Sequence, residues 1–305
     1  MRVGIIGRSE ILYDVITVLE EAGHSIELII TSKEAPEYTK TSKDFEQKAT
    51  QLNACFIHTP RILETHKEIK DLDLDIAVSV NYSGIIPQEI IDCFKIGILN
   101  AHGGDLPKYR GNACQAWAIL NGETKVGLCI HNMIGGELDN GDIIARDYLE
   151  IDINTKVGFI WNWMNQRIPS LFLEALDKLE SDRSYILEVQ DSDPSAALRC
   201  YPRKPEDGRI DWKQGAKDIL RLINASGSPY SGAYCFLEKK KIIVWDAELV
   251  NDGEIYCAVP GQVVGLENES IIISTGQGKL KLNRIDYNGI KNPREVINSI
   301  RSRLS

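Results

Sequence analysis

Asn100 and His102 stand two residues apart at the head of the block NAHGGDLPKYRGNACQAWAILNGETKVGLCIHNMIGGELDNGD, residues 100–142. If the backbone there is extended, both side chains leave the same face of a strand. An asparagine carboxamide donates hydrogen bonds and can hold a developing oxyanion. A histidine titrates near pH ~6.5 and exchanges protons at neutral pH. A later aspartate in the glycine-rich segment GGELDNGD could orient the imidazole and stabilise its charged form. Amide donor, imidazole and carboxylate form a set suited to acyl transfer. A loop histidine taken alone is more often solvated or structural; its company carries the reading.

Such side chains need a frame. Short apolar runs at residues 3–6, 26–30, 54–57, 75–80 and 97–100 read as strands, and residues 11–21, 45–52 and 62–69 read as helices between them. Strand–helix alternation of this kind predicts a doubly wound parallel α/β sheet of Rossmann-like type. Ligands of such sheets gather at the carboxyl ends of the strands, and Asn100 and His102 are expected just past one of them. Residues 113–120 read as a helix, 126–133 and 143–151 as strands, and 155–179 as a long helix. The polar stretch 31–43 is expected to be a surface loop. Beyond Cys200 a helix near 214–225 precedes short strands around 233–237, 242–244, 261–264, 270–274 and 279–285. That density predicts a smaller β-rich, OB-like domain. The boundaries expected are 1–185 for a catalytic domain, 186–199 for a linker and 200–305 for the C-terminal domain.

The chain has 305 residues, 26% charged and 43% hydrophobic, with a formal net charge of -9. The charge is uneven: roughly +3 after Cys200 and roughly -12 before it. An acidic surface repels phosphate backbones, which argues against a nucleic-acid partner. The seven cysteines are scattered, with no C-x-x-C pair, and read as reduced, mostly buried thiols of a cytoplasmic protein rather than a disulfide frame or zinc site. No apolar run approaches the ~20 residues that span a bilayer, so no membrane partner is expected.

At the residues of the central block the chain resembles the folate-dependent formyltransferase family, which includes methionyl-tRNA formyltransferase, glycinamide ribonucleotide formyltransferase and the sugar N-formyltransferases. The family motif appears here as Asn100, Ala101 and His102, then Leu106 and Pro107, then Tyr109, Arg110 and Gly111, then Asp139, Asn140, Gly141 and Asp142. Trp117, Ala118 and Ile119, then Asn121, Gly122 and Glu123, then Gly127 with His131, look most like the sugar-modifying branch. The resemblance implies 10-formyltetrahydrofolate as formyl donor, without a metal. It also implies the amine of a nucleotide-linked amino sugar as acceptor, with a 4-amino-4,6-dideoxy sugar on UDP or dTDP as first choice, in surface-polysaccharide synthesis. Asn100, His102 and Asp139 are the implied catalytic residues. The implied folate loops are 82–87, with Tyr82, Ser83, Ile85 and Ile86, and 134–139, with Gly135, Gly136 and Asp139. Without the family match the two glycines would read as a plain hairpin turn. Two departures stand out: Gly104-Asp105-Leu106-Pro107 where Ser-Leu-Leu-Pro is common, and Gly127-Leu128-Cys129 where Gly-x-Thr is commoner. They are expected to alter the substrate side of the pocket and leave the chemistry intact.

Arg8 and Ser9 follow the first strand in GIIGRS, which lacks the G-x-G-x-x-G of a dinucleotide site. They are candidate substrate-phosphate contacts or a simple strand–helix turn. Arg110 and, in the C-terminal segment PYSGA, Tyr230 are further substrate candidates. His131 lies on an alternating strand and reads as structural, though it neighbours the central block. His24, His58 and His66 show no ligand spacing. Trp161 and Trp163 read as core or interface residues, and a homodimer is among the expectations. The competing functions are methionyl-tRNA formylation and a hydrolytic or non-catalytic folate-binding relative.

Overall fold

Runs without polar alternation build strands buried on both faces. In β1 (Arg2–Gly7) every residue after Arg2 is buried, and β4 (Ile76–Val80) is buried throughout. The structure, a computed structural model, describes residues 1–36, 38–191 and 193–305. Position 37, in the stretch expected as a surface loop, and position 192, in the expected linker, lie outside the described residues. The chain folds into two compact units. The first comprises residues 1–111, 127–148 and 162–199, and the second 112–126, 149–161 and 200–305.

The first unit is built on a seven-stranded sheet. Along the chain, β1 and α1 (Glu10–Glu21) are followed by β2 (Ser25–Thr31), α2 (Ser42–Leu52), β3 (Cys55–His58), α3 (His66–Asp71), β4, α4 (Gln88–Ile91) and β5 (Gly97–His102). Then follow β6 (Arg110–Gly111), β7 (Lys125–Asn132), β8 (Ile143–Glu150) and α6 (Val157–Ser181), while α5 (Cys114–Asn121), between β6 and β7 in the chain, belongs to the second unit. Helix α1 buries Ile11, Leu12, Val15, Ile16 and Leu19, a single stripe at helical spacing. Each such side chain contributes about 1.5–3 kcal/mol on full burial. The strand order is β3-β2-β1-β4-β5-β7-β8. The first five are parallel, and β7 runs antiparallel to β5. The sheet is therefore mostly parallel, as the alternation predicts, with an antiparallel extension after the pattern changes. Asn100 and His102 therefore lie in β5, with His102 its last residue, opposite His131 and Cys129 of β7, and not past its end.

The second unit is β-rich. After β9 (Arg199–Cys200) and α7 (Ala216–Ala225), strands β10 (Ala233–Leu237), β11 (Lys240–Val250), β12 (Val263–Leu266), β13 (Ile271–Ser274) and β14 (Lys279–Asp286) form an antiparallel sheet in the order β10-β11-β14-β13-β12. Ile219, Leu220 and Ile223 of α7 share one core with Val244, Ile273, Leu280 and Leu282 of the strands. β11 runs on to Val250, well beyond the segment 242–244 read from sequence. Its register shifts around Asp246, which breaks the alternation that would have marked the strand's continuation.

Candidate active site

Strand register places the first half of the site. Asn100 and His102 are i and i+2 on β5, and Asn100 pairs directly with His131 of β7. The carboxamide Nδ2 lies 3.3 Å from His131 Nε2. His131 Nδ1 is 2.8 Å from the Asn132 carbonyl oxygen, which can only accept, so Nδ1 carries the proton. The Nε2 lone pair then accepts from Asn100 Nδ2, which fixes the face of the amide.

His102 is 7% exposed. Its Nε2 lies 2.7 Å from the Tyr109 carbonyl oxygen, so Nε2 carries a proton as well. Its Nδ1 faces Asp139 Oδ2 at 3.4 Å. Burial lowers the His102 pKa below the ordinary 6.5, opposed by the Asp139 carboxylate and the Tyr109 carbonyl. Burial pushes Asp139 up, but the positive charge that His102 and His131 carry when protonated, and the Gly111 N–H, outweigh it and hold the carboxyl at about 2. Asp139 is thus an ionised, nearly enclosed carboxylate. Its Oδ2 accepts from the Gly111 N–H at 2.8 Å, and its Oδ1 is 3.6 Å from His131 Nε2.

The departures at residues 104–107 and 127–129 pack on one another. Gly104 has no space for a side chain: a Cβ there would sit 2.3 Å from the Tyr109 oxygen and 2.6 Å from His102 Nε2. A Cβ on Gly127 would lie 2.7 Å from the α-carbon of Asp105, and the Cys129 thiol donates to the Gly104 carbonyl at 3.3 Å. Asp105 is held by Arg146 and by the Tyr148 hydroxyl, and Arg146 also donates to the Leu106 carbonyl and Glu188. Gly104 clears the path for the His102–Tyr109 hydrogen bond.

The remaining candidates are distributed as follows. Tyr82 donates to the Thr59 carbonyl at 2.8 Å, and the Ser83 and Ser32 hydroxyls are 2.7 Å apart. Ile85 is 84% exposed, whereas Ile86 is in the core. The Gly135 N–H donates to Gln88 Oε1 at 2.8 Å, which joins the second expected folate loop to the residue after the first. Gly136 takes φ +79 and has open space at its Cβ position. Arg8 donates to the carbonyls of Asn81 and Lys33, bridging the segments that follow β4 and β2. Ser9 is 1% exposed, at the N-cap of α1, in the left-handed region at φ 94. Arg110 donates to Gln190 Oε1 at 2.8 Å. In the second unit Tyr230 lines a cavity of about 210 Å³ with Arg203, Lys204, Ser226 and Ser231. Two residues of the first unit's site, Gln190 and Arg146, carry no sequence signal: a glutamine in an acidic stretch and an arginine on a strand are each ordinary. Among the described residues, no helix is long and apolar enough to cross a membrane.

Comparison with known proteins agrees with this frame. Residues 1–176, more than half of the chain, match the formyl transferase family, and residues 203–299 match the formyl transferase C-terminal domain. The chain is similar to the methionyl-tRNA formyltransferase of Geobacter metallireducens, 30% identical over 76% of this chain and 71% of that protein. It is similar also to that of Alkaliphilus oremlandii, 28% identical over 95% of this chain and 93% of that protein. In fold it resembles WlaRD, a sugar 3N-formyl transferase solved in the presence of dTDP and 5-N-formyl-THF. The TM-score is 0.69 at 20% identity, over 93% of this chain and 97% of that one. The two family matches, one on each part of the sequence, and a relative identical at three positions in ten make this chain an enzyme of the formyl transferase family.

Proposed function

We propose that the chain transfers the formyl group of 10-formyltetrahydrofolate to the amine of a nucleotide-linked amino sugar, with Asn100, His102 and Asp139 as catalytic residues. The observation that carries the chemistry is the Asn100–His102–Asp139 cluster around the buried His102. His102 Nε2 is committed to the Tyr109 carbonyl, and its Nδ1 faces an ionised carboxylate at 3.4 Å. With His102 below its ordinary 6.5 and Asp139 held at about 2, neither atom carries a proton at neutral pH, so the pair can accept one. As the amine nitrogen bonds to the formyl carbon it sheds a proton, and this gap is the place for it. The carboxamide of Asn100, its face set by His131, is the donor for the oxyanion formed at the formyl oxygen. When the formyl carbon separates from the folate nitrogen, that nitrogen regains a proton.

The donor-side fit rests on the two loops joined through Gln88 and Gly135. They carry three exposed apolar side chains, Ile85, Ile134 and Leu138. A flat pterin needs apolar cover with backbone polar groups close by, and Tyr82, Ser83, Ile86, Gly135 and Gly136 surround that surface in sequence. Bound there, the folate supplies the activated formyl group.

Charge carries the choice of acceptor. A net charge of -9, with roughly -12 before Cys200, opposes a polyanion far more than a nucleoside diphosphate. In the first unit Arg8, Ser9 and Arg110 are proposed substrate contacts; in the second, Tyr230 is one, in a pocket whose Ser226, Ser231 and Tyr230 hydroxyls and Arg203 and Lys204 cations suit a small phosphate ester. WlaRD, solved with dTDP, lends support through its fold. A second reading, methionyl-tRNA as acceptor, is favoured by the names of relatives 28% and 30% identical. Incubation with 10-formyltetrahydrofolate and a panel of 3- and 4-amino sugars on UDP and dTDP, alongside methionyl-tRNA, separates the two by mass. Formylation of a sugar nucleotide is expected. Formylation of methionyl-tRNA alone, with binding that weakens steeply in salt, establishes the second reading.

A further inference from the structure

We infer that Gln190 is the positioning residue for Asp139; the inference rests on the catalytic reading of Asp139 above. Gln190 lies in a stretch, residues 186–199, that reads from sequence as a linker, yet it is 7% exposed. Its Nε2 donates to the carbonyls of Asp139 at 3.0 Å and Gly141 at 2.6 Å. Its Oε1 accepts from Arg110 Nη2 at 2.8 Å. Its backbone N–H donates to Asp142 Oδ1 at 3.2 Å. The amide orientation follows from the partners: a guanidinium only donates and a carbonyl only accepts, so the oxygen must face Arg110 and the nitrogen must face the loop.

Asp139 needs such a hold. It sits at φ 51, in the left-handed region, which an aspartate adopts at a cost unless its surroundings impose it. Its neighbour Gly141 is equally constrained, since a Cβ there would lie 1.9 Å from the Asn132 oxygen. The loop 139–142 therefore has little room, but Asp139 lies between β7 and β8 rather than within either strand. Gln190 supplies two bonds to that loop. Through Arg110 it also holds the residue preceding Gly111, whose N–H fixes the Asp139 carboxylate at 2.8 Å. One amide thus secures both the backbone of Asp139 and the segment that aims its side chain. Releasing it lets the carboxylate drift from His102 Nδ1, and a misplacement of about 1 Å in a catalytic group costs about a hundredfold in rate.

The test uses the full-length enzyme and the acceptor found by the panel above. Gln190→Ala removes the amide, and Gln190→Met keeps its volume, so a folding defect in one is controlled by the other. For either folded variant kcat is expected to fall about tenfold to a hundredfold, with KM for donor and acceptor within about twofold of the parent. Amide hydrogen exchange of residues 139–142 is expected to quicken. In combination with Asp139→Asn, the Gln190 substitution is expected to add almost nothing, since both act on one group. Loss of kcat in Asp139→Asn with unchanged turnover in both Gln190 variants overturns the positioning role alone. Fully additive losses in the double variant also overturn it, by assigning Gln190 to general stability. Normal turnover in Asp139→Asn overturns the catalytic reading and this inference with it.

Discussion

The two halves of the site are held by different means. Asn100, His102 and His131 ride on β5 and β7, where the ladder fixes their spacing to the register of paired strands. Asp139 rides on a loop, in a left-handed conformation, and depends on groups from distant segments: Gln190, Arg110 and the Gly111 N–H. Strand-borne groups are positioned by backbone bonds that nearly any sequence can make. Loop-borne groups are positioned by particular side chains. The strand half should therefore tolerate changes within its strands, whereas changes in the loops that bear on either half should not be tolerated.

The largest expected effect strikes both halves at once. His102→Asn and Asp139→Asn should each lower kcat by about two to three decades, the scale of losing an electrostatic contact in the transition state. Their combination should cost far less than the sum, because the pair acts as one unit. Saturation kinetics of the three variants check this, and near-normal turnover in His102→Asn would reduce the cluster to a structural feature.

Next comes Gly104→Ala. Its Cβ would press on the Tyr109 oxygen and His102 Nε2, so the strand half is attacked through a loop. Overpacking of this kind costs about 1–3 kcal/mol. A lowered Tm together with a fall in kcat of about tenfold or more is expected. Unchanged kcat would mean that the His102–Tyr109 hydrogen bond is dispensable.

His131→Asn should be milder, about tenfold or less in kcat, because the β5 ladder still holds Asn100 when its amide partner shortens. A loss as large as that of His102→Asn would make His131 a full member of the catalytic set and blur the contrast between the halves.

The smallest effect is a titration. Burial places the His102 pKa below 6.5, so below that pH the unfolded chain takes up a proton that the folded chain resists, and this residue's contribution to stability declines as pH falls. Asp139 opposes the lowering, so Asp139→Asn should move the His102 midpoint further down. Asp139 itself contributes stability above pH 3.8 that is lost as pH falls towards about 2. Imidazole NMR titration of parent and variant checks the sign; an upward move of His102 in Asp139→Asn would contradict the geometry.

Much of this was legible in residues 100–142. The spacing of Asn100 and His102, the Leu-Pro pair and the acidic glycine loop marked the chemistry, and apolar runs with intervening helical stripes marked the sheet. These are local signals: periodicity two for strands, 3.6 for helices, and residue types whose chemistry is intrinsic. Other features were beyond local reading. The antiparallel turn of β7 brings His131 opposite Asn100 across 31 residues of chain. The missing Cβ of Gly104 matters only because Tyr109 folds back over it. Gln190 comes from 51 residues beyond Asp139, in a polar stretch with the composition of a connector. By itself, then, the sequence determined the kind of sheet, the family and the candidates for the reacting groups. The tertiary structure alone decided which segments hold those groups in place, because a hydrogen bond between distant residues leaves no trace in the spacing of either.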